Sequence, residues 1–193
     1  MFGHEIVEEH HALDADGMRY FGLMELRSTY TGYIDTVGLR NSNDKRFPIG
    51  ISYGSKVFVC SNLCFSGDHV IRRKHTANAK RELPGLLMEI IEPLALHREA
   101  QHKKIEYYRQ TLLTDEQADH AIMQLYRQGI VNIQRVPEIV AQWDEPIFPD
   151  FAERTAWRLL NAATYSLSGR VMERPDATPR LHQVIDAVCE HVS

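Results

Sequence analysis

The sequence predicts an α+β fold: an antiparallel meander sheet over roughly the first 76 residues, packed by C-terminal helices. Up to Thr76, short β-prone runs are separated by clusters of Asn, Asp, Ser and Gly, the pattern of strands and tight turns. Beyond residue 77, apolar residues recur at three- and four-residue steps, the period of a helix face. Successive strands joined by short turns pair antiparallel, because parallel neighbours need a long crossover. The 193 residues are read as a single domain, 1–76 mainly β and 77–193 mainly α.

His11–Leu13 and Tyr20–Leu26 flank Asp14-Ala-Asp16-Gly17, a hairpin signal. A calcium loop is the competing reading of those aspartates, but Met18 and Arg19 fall where a ligand and the turn glycine belong. Tyr33–Leu39, Phe47–Tyr53, Lys56–Cys60 and His69–Arg72 read as four further strands. Their predicted separators are Asn41–Asp44, Gly54-Ser55 and Ser66–Asp68. Next, Leu86, Leu87, Ile90, Ile91 and Leu94 continue as a helical stripe into Ile105, Tyr108 and Leu112, kinked at Pro93. Thr114 with Gln117 forms a capping box ahead of Ala118, Ile122 and Leu125, and Gly129 marks the stop. The Pro-containing stretch Trp143–Pro149 reads as a long loop. Asp150 and Glu153 open a helix with Ala152, Ala156, Leu159, Leu160, Ala163 and Leu167 on one face, ending near Gly169. A last helix starts at Thr178-Pro179 and buries Leu181, Val184, Ile185 and Val188.

Composition narrows the class. With 44% hydrophobic and 25% charged residues the chain is neither disordered nor fibrous. It has no run of about 18 apolar residues and no basic-then-apolar leader, so neither a membrane span nor a secretory signal is expected. Cys60, Cys64 and Cys189 are an odd number without an export signal, which argues for a reducing cytoplasm over a disulfide framework. The net charge of −4 is unevenly spread, because residues 39–81 hold nine basic and only two acidic side chains. Such a local excess attracts polyanions.

The densest part of that excess is Arg40-Asn-Ser-Asn-Asp-Lys-Arg46 between two strands and Arg72-Arg-Lys-His75 at the end of another, with Lys80 and Arg81 behind. If these ends adjoin, one rim of the sheet is basic. Several Lys and Arg on one surface neutralise phosphates, and Asn or Ser add positioning hydrogen bonds. The plainer alternative is a solvated face that keeps an edge strand from aggregating. Cys60, Cys64, His69 and His75 form the nearest approach to a zinc pattern, but the spacing fits no standard finger, and no metal or cofactor is expected. A two-carboxylate metal site would have to draw on Asp35, Asp44 and Asp68, which share no spacing signature. Ser66 or Cys60 with His75 lacks a nucleophile elbow and an orienting acid. No phosphate-cradling glycine loop is present.

Val37-Gly-Leu-Arg-Asn-Ser-Asn-Asp-Lys45, then Gly54-Ser-Lys-Val-Phe-Val-Cys-Ser-Asn-Leu-Cys-Phe-Ser-Gly67, then Arg73-Lys-His-Thr76, resemble the ordered core motifs of the phage/plasmid-like protein family designated domain of unknown function nine-three-two. Thr155-Ala-Trp-Arg-Leu-Leu-Asn-Ala-Ala-Thr164 is similar to that family's C-terminal helix, so the resemblance spans about residues 12–165. It implies a mobile-element role, carried by phages, plasmids and integrated elements, without supplying a mechanism. Longer members carry an N-terminal region not expected here, and Cys64 stands where a small apolar residue is expected, which weighs further against zinc.

The leading expectation is a phage or plasmid accessory protein in the bacterial host cytoplasm that binds nucleic acid or a nucleoprotein complex. The binding residues would be Arg40, Asn43, Asp44, Lys45, Arg46, Asn62, Arg72, Arg73, Lys74 and His75. An alternative is an inhibitor of a host defence complex, of anti-restriction or anti-CRISPR type, acting by protein–protein binding. An enzyme with a polar pocket near Asp44, Cys60 and His75, and Asn43, Lys45 and Asn62 beside them, ranks below both.

Overall fold

The computed structural model describes residues 5–28, 30–57, 63–73, 81–82, 84–85, 88–89, 92–167 and 177–191, with 63–73 followed through its backbone. Strands β1 (Ile6–Leu13), β2 (Arg19–Leu26), β3 (Tyr33–Ser42), β4 (Ile49–Val57) and β5 (Leu63–Arg73) form one sheet in that order. Every neighbouring pair is antiparallel. Helices α1 (Leu94–Gln110), α2 (Asp115–Arg127), α3 (Val136–Asp144), α4 (Ala156–Ser166) and α5 (Ala177–Glu190) follow, so the chain is α+β.

The strand count differs from the sequence reading. Gly54 and Ser55 do not turn the chain; they lie inside β4, opposite Thr36 and Asp35 of β3. Likewise Ser66–Asp68 lie inside β5. Ser52 pairs with Val70 and Gly54 with Phe65, so two steps along β4 face five along β5. The turn-forming residues are therefore spent on an irregularity in the ladder, where extra residues bulge without reversing the strand. Lys56 belongs to β4 as well, and residues 58–60 of the expected fifth strand lie outside the described residues.

The helical half is organised around α4. Ten of its eleven residues are buried, polar ones included. Asn161 donates to the Trp157 carbonyl at 2.8 Å, Thr164 to Leu160 at 3.0 Å and Ser166 to Ala163 at 2.7 Å, so these side chains satisfy themselves on the helix's own backbone. Arg158 is buried too, with its guanidinium over the Trp143 ring, donating to the carbonyls of Ala152 and Trp143. The latter belongs to the last turn of α3, where a cation complements the exposed carbonyls.

The caps read from sequence are in place: Thr114 and Gln117 make both limbs of the capping box, and Gly129 adopts φ +66° after α2. Three details differ. Pro93 precedes α1 and does not kink it, since a residue without N–H fits a helix start. Leu112 lies past the end of α1 and is exposed, with Leu113 buried in its stead. Finally, α4 begins after Thr155, whose hydroxyl accepts from Arg158 N–H at 3.3 Å. Asp150 sits in a 3-10 turn (Pro149–Phe151) and Ala152 stays exposed, because the Thr155 hydroxyl captures the helix start. Helix α3 extends into the predicted long loop, anchored by buried Ile139 and Trp143 one turn apart. The stripe Leu86, Leu87, Ile90 and Ile91 lies outside the described residues, as does Gly169.

Helix α1 is fastened to the β2–β3 end of the sheet. Arg98 donates to the buried Asp35 carboxylate at 2.7 Å, the Tyr33 hydroxyl meets His102 Nδ1 at 2.7 Å, and Arg109 donates to the Thr31 carbonyl at 3.1 Å. Gly32 allows the last contact, with φ +88° and a hydrogen where any Cβ would stand 2.8 Å from the Arg109 guanidinium. These three contacts all fall at the Tyr33 end of β3, and the opposite end of the strands is the one that Ser42 closes.

Candidate functional site

That opposite end gathers the β1–β2 turn, the β3–β4 turn and the C-terminal end of β5. Arg19 pairs with Ser42, Arg40 with Gly50, and Gly50 in turn with Arg72, so Arg40 and Arg72 flank one glycine at the same level of the sheet. Two strand spacings separate them, about 10 Å. Arg73 stands opposite Ile49, the first residue of β4. The backbone thus brings the two basic segments of the sequence to one rim.

The side chains of the β3–β4 turn are highly organised. The Asp44 carboxylate accepts from the Ser42 hydroxyl, from Arg46 N–H at 3.2 Å, and from Arg19 Nε and Nη2 at 3.1 and 3.0 Å. The Ser42 hydroxyl bond, the Arg46 N–H and the Arg19 guanidinium together hold Asp44 down at about 2, against an ordinary value of 3.8. Lys45 takes φ +60°, the only non-glycine residue with positive φ among the described residues, and with Arg46 it is exposed. Asn43 N–H donates to the Met18 carbonyl at 2.7 Å, which joins this turn to the β1–β2 hairpin. In that hairpin Asp14 accepts from Met18 and Arg19 N–H at 2.8 and 3.0 Å, so its carboxylate shapes a turn.

Not every expected residue is open to a ligand. Arg40 is only 8% exposed, its guanidinium lying 5.0 Å over the Phe47 ring and against Gly50, where a Cβ would meet Nε at 2.9 Å. It braces the rim from beneath, while Lys45 and Arg46 form its exposed surface. Arg72 and Arg73 are placed by register alone, and Asn62, Lys74 and His75 lie outside the described residues, as does Cys60. Sequence reasoning missed Arg19, whose role as the clamp of Asp44 depends on a partner 25 residues away and leaves no local signal.

Of the four possible zinc ligands, Cys64 and His69 both lie on β5, and Cys60 and His75 lie outside the described residues. Asp35 lies in β3 and Asp44 in the turn beyond its far end, with about 23 Å of strand from Asp35 to Ser42 between them, so they cannot cooperate in a two-carboxylate site. Among the described residues, Glu8, His10 and Glu25 bring potential metal ligands together, but Lys56 Nζ already stands 2.5 Å from Glu25 and serves as its cation. Cys189 is buried in α5, and burial pushes its thiol up to about 11, which leaves it unreactive. Among the described residues no helix is long and apolar enough to cross a membrane.

Comparison with protein-family models, with curated proteins and with solved structures returned no match.

Proposed function

We propose that this protein is a phage or plasmid accessory factor that binds nucleic acid or a nucleoprotein complex through the basic end of its sheet. The observation that carries the reading is the register linking Arg40, Gly50 and Arg72, which puts the two basic segments of an otherwise acidic chain side by side. Exposed Lys45 and Arg46, with Arg72, Arg73 and the following Lys74, supply the charge. Phosphates neutralised there release counterions, so affinity should fall with salt at a logarithmic slope of about −0.9 for each duplex phosphate contacted. Resemblance to the phage/plasmid-like family supports the mobile-element setting.

The test is fluorescence anisotropy with duplex DNA and with RNA over a salt series. Replacing Arg72, Arg73 and Lys74 with alanine is expected to weaken binding to all sequences alike and to flatten the slope, since phosphate contacts position without reading bases. Wild-type protein that ignores both nucleic acids at low salt would overturn the proposal.

A second reading, inhibition of a host defence complex, is favoured by one feature. Asp14 and Asp44 are interleaved with Arg19, Lys45 and Arg46 on the same rim, a mixed pattern that suits a protein surface better than a run of phosphates. Affinity capture from host cells, with and without nuclease, separates the two: nuclease-resistant capture of a defence component supports this second reading.

A further inference from the structure

Strand β1 ends the sheet, and all eight of its residues are exposed. It contains neither proline nor lysine, the residues that commonly blunt an open edge. The direction of its unused hydrogen bonds follows from one contact. Asp14 N–H donates to the Arg19 carbonyl at 3.0 Å, which makes these two a hydrogen-bonded pair. Such pairs alternate along an antiparallel ladder, and the register runs unbroken from Glu8 opposite Glu25 to Leu13 opposite Tyr20. Ala12, His10 and Glu8 therefore spend their main-chain groups on β2, while Leu13, His11 and Glu9 present theirs to the open edge.

We infer that this edge pairs antiparallel with β1 of a second copy of this chain, about a two-fold axis through His10. In a symmetric antiparallel pair the axis passes through a residue facing its own counterpart, so few registers exist. An axis through Glu9 would set Glu9 against the partner's Glu9, two like charges directly opposed. An axis through His11 would set the histidines against each other and leave Glu9 facing an apolar Leu13. The axis through His10 places Glu9 opposite the partner's His11 twice over, each pair exchanging both main-chain hydrogen bonds.

Complementarity favours that register on the face that carries Glu9 and His11. Within one chain Glu9 already meets His11 Nε2 at 3.3 Å, so the pairing closes a four-membered alternation of carboxylates and imidazoles. Leu13, 65% exposed, gains cover from the partner strand at each end. The central His10 residues stand near one another, but each has the carboxylates of Glu8 and Glu25 at 3.3 and 3.4 Å. The register shift at Val7 ends the regular edge and keeps the ladder short, which suits a reversible dimer and stops longer arrays. The two basic rims would point in opposite directions.

Sedimentation equilibrium over a wide dilution series tests the inference, with thermal melts of dilute protein to confirm folding. Wild type is expected to show a monomer–dimer equilibrium. His11→Glu sets two carboxylates directly opposite each other, and Glu9→Lys removes the carboxylate that accepts from the imidazole, so each is expected to weaken the dimer about tenfold. The double variant E9K/H11E restores the complementarity and is expected to restore the dimer. His11→Pro removes an outward N–H that β2 does not use and is expected to abolish it. Three results would overturn the inference: wild type monomeric at every concentration, a dimer indifferent to Glu9→Lys, or a charge swap that fails to rescue. If the proline variant does not fold, the Glu9 and His11 series decides alone.

Discussion

Arg98 on α1 reaches 2.7 Å from the carboxylate of Asp35, an acid with no exposed surface in the middle of the sheet. The Tyr53 hydroxyl donates to the other carboxylate oxygen at 2.8 Å, and burial together with that carboxylate pushes its phenol up, so the proton stays on the donor. A buried charge is tolerable when paired and costly when its partner is removed. Arg98→Ala is therefore expected to cost about 3–5 kcal/mol, and Asp35→Asn combined with Arg98→Ala markedly less than that. Urea unfolding of the single and double variants checks this; equal losses would show that α1 is held by other contacts.

Leu160 has no exposed surface and lies in the core built around α4. Leu160→Ala is expected to lose about 2–5 kcal/mol through lost transfer energy and the cavity left behind. A melting curve superimposable on wild type would remove Leu160 from the core.

Gly32 and Arg109 form a coupled pair. An alanine at position 32 would have to hold φ +88° and bring its Cβ within 2.8 Å of the guanidinium. Gly32→Ala is expected to destabilise by about 1–3 kcal/mol. Adding Arg109→Ala relieves the clash but leaves the backbone strain, so the double variant should lose less than the sum of the two single losses. Strict additivity in chemical denaturation would mean that the loop moves aside from Arg109.

Asp44 ties acid sensitivity to the rim. Its folded value lies near 2, below the ordinary 3.8 of the unfolded chain, so its contribution is fully present above about pH 4 and is lost as pH falls through about 2. Wild type should therefore lose stability over that interval to a greater extent than Asp44→Asn, which lacks the titrating group. Denaturation midpoints at the two ends of the interval measure the difference; parallel pH profiles would show that Ser42 and Arg19 do not stabilise the charged form.

Local signals were legible in the sequence and non-local ones were not. The Thr114–Gln117 box and the Gly129 stop involve residues within one turn of each other, and both are found where the sequence places them. Gly54-Ser55 and Ser66–Asp68 carry the same turn chemistry, yet pairing with the neighbouring strand overrides it, which no local reading detects. Helix α3 escaped notice because its burial rests on one pair, Ile139 and Trp143. The basic rim was legible as composition. That Arg40 would sink beneath it onto Phe47 and that Arg19 would clamp Asp44 were not, since both depend on which strands adjoin.

The enclosure of α4 sets the order in which the molecule can open. A helix with ten of its eleven residues buried, and with Asn161, Thr164 and Ser166 closed on its own carbonyls, gives water little access without dismantling its neighbours. Its amide protons would then exchange with deuterium only through complete unfolding, and their protection would report the stability of the whole chain. The amides along the outer edge of β1 would exchange first, unless a second chain were bound to them.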